Sequence, residues 1–126
     1  VARDKARRVP AGSIVFSEGD TGDVMYVVVK GLVQVYRDGP SGRVVLGKIE
    51  PGSFFGEMAL LGTTSRTATA MALSDSVLAA YAPDELESLL EGRPEVGARM
   101  IRQLVTRLKE TTDQLMADRK KRLGSW

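Results

Sequence analysis

A mainly β domain followed by C-terminal helices is predicted by three features of this 126-residue sequence. Between Val9 and Ala82, short β-prone runs alternate with Gly-rich turns every several residues. At Pro83 the apolar period changes from that of strands to that of helices. A long helix is expected from Glu95 to about Leu123, where Ile101, Leu104, Leu108 and Leu115 fall at helical spacing with Thr111 at the remaining slot. Many short strands with frequent turns point to a sandwich, a jelly roll or a barrel.

The elements follow in order. Arg3, Lys5, Arg7 and Arg8 make the first eight residues basic, and a solvated helix end or tail is expected there. Ser13 to Phe16 is a strand candidate, and Glu18 to Asp23 is a turn cluster rich in Gly and Asp. Val24 to Val29 is strongly β-prone. After a turn at Lys30-Gly31, Leu32 to Arg37 alternates, with Leu32, Gln34 and Tyr36 on one side and Val33 and Val35 on the other. Asp38 to Gly42 is a loop between paired strands, and Arg43 to Ile49 is the next strand, closed by Pro51-Gly52. Thr67 to Leu73 and Ser76 to Ala82 form two more strands around a turn at Ser74-Asp75.

Pro83, Asp84 and Glu85 make a helix start with acids in its first turn, and Leu86, Leu89 and Leu90 form its apolar face. Arg93-Pro94 separates this helix, about residues 84–92, from a second one over about 95–123. In the long helix Ile101, Leu104, Leu108 and Leu115 form a narrow seam, with Thr111 at the remaining heptad slot. Met100 and Val105 widen it toward the N-terminal half. Two arrangements cover such a stripe: packing on the chain's own sheet, or pairing of its distal part with a second copy. Pairing is the expectation, because a small domain has little surface with which to cover so long a helix.

Composition excludes several functions. There is no Cys and no His. A disulfide framework, thiolate metal sites, His-dependent triads and haem or iron–sulfur sensing are therefore disfavoured, and no metal is expected. No nucleophile–base pair can be assembled with confidence, so a non-enzyme is expected. A formal net charge of +2 does not by itself imply a nucleic-acid surface. No apolar run approaches the ~20 residues that span a bilayer. No secretory signal is visible, and a cytoplasmic location is expected. The first residue is Val1 and not Met, which predicts a fragment or a trimmed chain.

The chemistry concentrates in residues 52 to 70. Flexible glycines, a segment able to make a helical turn, Glu57 and Arg66 occur there together, with Thr63, Thr64, Ser65 and Thr67 around the arginine. Backbone amides at the start of a helical turn, with an arginine nearby, make an anion site. A carboxylate in the same loop would repel a bare phosphate, unless the ligand also presents a hydroxyl donor. A nucleotide-like ligand, phosphate at one end and ribose beside it, meets both conditions. For Arg66 a surface salt bridge, with Glu57 as one partner, is the competing reading.

Three ordered pieces make the chain resemble the cyclic-nucleotide-binding domain family of Crp/Fnr regulators, cAMP-dependent kinase regulatory subunits and cyclic-nucleotide-gated channels. They are Glu18 to Tyr36, then Pro51 to Leu61 with Arg66-Thr67-Ala68, then strands followed by a long helix. The resemblance runs from about Val9 to about Arg122. It implies a β-roll or jelly roll (double-stranded β-helix) over about 9–82, then the short helix and a long dimerisation-type helix, in a single domain 1–126 without an output domain. It also implies that Arg66 pairs with the exocyclic phosphate oxygens and that Glu57 accepts from the ribose 2′-hydroxyl. Backbone amides around Gly56, Glu57, Met58 and Ala59, and at Thr67, would complete the cradle beside Phe55.

In the cAMP-receptor branch of the family, a Thr-Ser pair on the long helix contacts the adenine amino group, one hydroxyl from each protomer. Thr111 and Thr112 resemble that pair, which favours cAMP, whereas Thr67 resembles the residue that accommodates cGMP in channels. The resemblance implies the homodimeric, allosteric effector domain of a Crp/Fnr-type transcription regulator, touching DNA only through a missing domain. The alternatives are a sensor attached to a channel or an enzyme, and a dimerisation module that has lost its ligand.

Overall fold

The computed structural model describes residues 6–58 and 65–122. Eight strands precede two helices: β1 (Ala6–Val9), β2 (Ile14–Phe16), β3 (Met25–Lys30), β4 (Val33–Gly39), β5 (Gly42–Ile49), β6 (Phe54–Phe55), β7 (Thr69–Ala72), β8 (Ser76–Tyr81), α1 (Pro83–Gly92) and α2 (Pro94–Arg122). By contact density the chain divides into two units, residues 1–88 and residues 89–126.

The strands form two four-stranded sheets, in the orders β1-β8-β3-β6 and β2-β7-β4-β5. Every pairing is antiparallel. Each sheet turns one face inward, and the core draws on both. Val9, Tyr26, Val28, Phe55 and Leu78 come from the first sheet, and Val15, Val33, Ile49, Ala70 and Ala72 from the second. The two alanines on β7 leave room for the larger side chains opposite, so the layers interdigitate.

Strand alternation accounts for β4. Val33 belongs to the core and Val35 packs against it. On the other face the Arg43 guanidinium lies 3.7 Å from the Tyr36 ring centroid, so Tyr36 is buried outside the core cluster. On β5, an edge strand, Val44, Val45 and Leu46 are all exposed.

Two strands depart from the sequence-based expectation. Residues 6–8 are not a tail: β1 pairs Arg7 with Leu78 and Arg8 with Val77. The free edge of β8 supplies the partner groups, and Val9 anchors the strand in the core. The Arg7 and Arg8 side chains stay exposed, which is why they read as solvated, while Arg3 and Lys5 lie outside the described residues. Strand β6 also escapes a pattern search, since two residues carry no period. Strand β7 starts at Thr69 and not at Thr67, because the Arg66 backbone is drawn into bonds with the loop at Gly19-Asp20.

Helix α1 begins as expected. Pro83 takes its first position, where no backbone N–H is needed, and the Glu85 side chain accepts the Ala82 N–H at 2.9 Å. In the second unit, α2 has 29 residues; at about 1.5 Å per residue it is about 43 Å long. Lys109 and Asp113 pair along it at 2.9 Å. Ile101, Leu104, Val105, Leu108 and Leu115 are exposed in the single chain, Leu108 by 67%. Among the described residues, no helix is long and apolar enough to cross a membrane.

Candidate anion and nucleotide site

Arg66 is the centre of the site. It precedes β7, and its position is set by its backbone. The Gly19 N–H donates to the Arg66 carbonyl at 2.8 Å, and the Arg66 N–H donates to the Asp20 carbonyl at 2.7 Å. Thr21 and Ser65 form an isolated antiparallel bridge alongside. The 17–24 loop is itself fastened in place. Ser17 N–H donates to Asp20 Oδ2 and Glu18 N–H to Thr69 Oγ1, both at 2.9 Å, while Glu18 pairs with Arg37 at 3.2 Å.

The Arg66 side chain points inward and is only 7% exposed. Its guanidinium carbon lies 4.2 Å from the Phe16 ring centroid, and Nη2 donates to the Val24 carbonyl at 2.9 Å. Nη1 makes a long 3.5 Å contact with the Gly56 carbonyl. Nε is buried and has no hydrogen-bond partner among the described residues. Phe16 is in turn held by Tyr26 and Phe55, with centroid distances of 6.0 and 5.8 Å. The ring and the two carbonyls orient the cation without neutralising it. A buried charge without full compensation costs several kcal/mol, roughly, and favours an anion beside it. That arrangement overturns the reading of Arg66 as a surface salt-bridge residue.

Gly56 follows β6 with φ +77°, a conformation that favours glycine. A Cβ there would lie 3.2 Å from Arg66 Nη1 and 3.5 Å from Phe16 Cε2. This turn brings the start of the cassette against the arginine. Glu57 and Met58 then enter a tight helical turn, Glu57 half-buried and Met58 exposed. Exposed backbone amides at such a turn suit an anion.

The structure brings Phe55, Gly56, Glu57, Met58, Arg66 and Thr67 into the first unit. The Phe55 side chain belongs to the core and stacks on Tyr26 at 5.3 Å, and its backbone is paired with Tyr26 in the sheet. Thr67 is exposed beside buried Arg66 and Ala68. Ala59 lies outside the described residues. Thr111 and Thr112 belong to α2 in the second unit, where both are exposed. Sequence reasoning missed Phe16, Gly22 and Val24 as parts of the site. Their only signal was proximity to the turn cluster at Glu18 to Asp23, which by itself names no partner. Among the described residues, no group of three or more Asp, Glu, His or Cys is placed to hold a metal.

Comparison with known proteins agrees with this geometry. The family profile described as "Cyclic nucleotide-binding domain" matches residues 6–93. A CRP-like cAMP-activated global transcriptional regulator of Mycobacterium tuberculosis is 33% identical over 107 residues, 84% of this chain and 48% of the regulator. A cyclic nucleotide-gated potassium channel of Mesorhizobium japonicum is 39% identical over 92 residues, 73% of this chain and 24% of the channel. The crystal structure of the catabolite activator protein of Thermus thermophilus superposes with a TM-score of 0.74 at 32% identity, covering 92% of this chain and 56% of that one. The chain thus spans about half the length of the curated regulator it matches. Its two sheets, the Gly56 turn and the inward arginine are the parts that the profile match spans, and the chain belongs to the cyclic nucleotide-binding domain family.

Proposed function

We propose that this domain is a cAMP sensor that serves as the effector domain of a Crp/Fnr-type transcription regulator. The observation that carries this reading is the buried Arg66 guanidinium, held by neutral groups, with an Nε that lacks a partner among the described residues. The residues fit a cyclic nucleotide. Arg66 would hold the phosphate through its planar fork, and Glu57 would accept from the ribose 2′-hydroxyl. Amides at Gly56, Glu57, Met58, Ala59 and Thr67 would share the phosphate charge.

Thr111 and Thr112 are assigned to the adenine amino group by resemblance to the cAMP-receptor branch. A second copy would cover the apolar residues that α2 exposes, giving a homodimer. Regulation would follow as a population shift, provided that the two states of the helix pair differ in affinity for the ligand. The match to a cyclic nucleotide-gated potassium channel supports a second reading, in which the same sensor serves a channel or an enzyme.

Titration calorimetry with cAMP and cGMP tests the proposal on the native chain and on Arg66→Ala. Saturable cAMP binding is expected, weakened by at least about a hundredfold in the variant but still measurable at millimolar nucleotide. An absence of binding at millimolar nucleotide would sink the reading, and equal binding by the variant would remove the phosphate role from Arg66.

A further inference from the structure

The geometry points to Gly22 as a positioning residue of the anion site, acting through Arg66; the inference rests on the cyclic-nucleotide reading of that site. A Cβ built on Gly22 would lie 2.6 Å from Arg66 Nε and 2.7 Å from Cζ, and would also collide with Nη2. Real Cβ atoms do not approach so closely, so either the guanidinium or the loop must move. The need for glycine is not conformational. The backbone of Gly22 is outside the left-handed region, unlike Gly19 in the same loop at φ +89°. The three atoms nearest to a Cβ at this position all belong to the arginine.

The guanidinium is therefore held in a slot. Phe16 lies on it at 4.2 Å, the Val24 carbonyl takes Nη2, and the bare backbone of Gly22 closes the Nε–Nη2 side. The far side of the slot meets the Gly56 turn, where Nη1 lies 3.5 Å from the carbonyl and the cassette begins. Gly22 thus decides how deep the guanidinium sits relative to that turn. Its loop is tied to the Arg66 backbone through Gly19 and Asp20, so loop and side chain keep one register.

Gly22→Ala is the test, with two readouts. The first needs no ligand: the Arg66 Nε–Hε cross-peak in a ¹⁵N-correlated NMR spectrum, assigned by its disappearance in Arg66→Lys. In the native protein this proton should exchange slowly, and in Gly22→Ala its peak should shift and its exchange accelerate at least about tenfold. An unchanged peak and exchange rate in a folded Gly22→Ala protein would overturn the proposal. The second is calorimetry with cAMP. Misplacing a group that positions a ligand costs up to about a hundredfold, so a loss of about ten- to a hundredfold is expected. In an Arg66→Ala background the same Gly22→Ala change should matter less than about twofold. Equal losses in both backgrounds would show that Gly22 acts independently of Arg66 and overturn the inference. If the native protein binds no cyclic nucleotide, the functional reading fails, and the cross-peak still decides the role of Gly22.

Discussion

The guanidinium of Arg66 rests on the ring of Phe16, 4.2 Å from its centroid, although fifty positions separate them in the sequence. Phe16 ends β2, while Arg66 precedes β7, and these two strands are paired. The pairing delivers a cation to an aromatic face inside the protein. A partly desolvated cation–π contact of this kind is worth about 0.5–2 kcal/mol. Phe16→Leu keeps an apolar filler and removes the ring quadrupole. Cyclic-nucleotide affinity should fall by about two- to thirtyfold by calorimetry, the range that this energy corresponds to. Unchanged affinity would remove the ring from the site.

Arg66→Lys retains the charge but loses the fork and the flat face that stacks on Phe16. It should bind cAMP almost as poorly as Arg66→Ala, at least about a hundredfold below the native protein. Near-native binding by the lysine variant would mean that charge alone suffices, and that the planar contacts to Val24 and Phe16 are incidental.

The core predicts a stability scale that is separate from the site. Leu78 is fully buried between β3 and β1 on the first sheet, and Leu78→Ala should cost about 2–5 kcal/mol in chemical denaturation. Ala70 is fully buried on β7, and Ala70→Leu should also destabilise, by about 1–3 kcal/mol, because the opposite layer already fills the space. A neutral Ala70→Leu would indicate a void between the sheets.

Leu104 and Leu108 are exposed along α2. If a second copy covers them, Leu108→Glu should give a monomer by sedimentation velocity while the denaturation midpoint of the β unit changes little. A native chain that sediments as a monomer with cAMP present would count against the paired helix.

Thr111→Ala and Thr112→Ala should each weaken cAMP more than cGMP, by about fivefold or more, if their hydroxyls serve the adenine amino group. Equal effects on the two nucleotides would remove base selection from α2.

How much of this was legible beforehand follows from the range of each interaction. The switch at Pro83 is local chemistry: a proline at the first helical position and a glutamate two residues on that caps Ala82. The turn glycines and the alternation of Val33 and Val35 against Gln34 and Tyr36 are equally local. Glu57 and Arg66 stood out by type and spacing, so the sequence by itself determined the β-then-helix order, apart from β1 and β6, and pointed to a nucleotide-like ligand. Tertiary structure decided everything that depends on pairing between distant segments. It made Ala6–Val9 a strand, because the edge of β8 was available, where the arginines alone suggest a tail. It also turned Arg66 inward onto Phe16 and Val24 and set it against Gly22, which no local rule connects to it. The physical reason is that side-chain type and short-range period are written in the chain. Burial, and the space left for a single missing Cβ, exist only once the two sheets have closed.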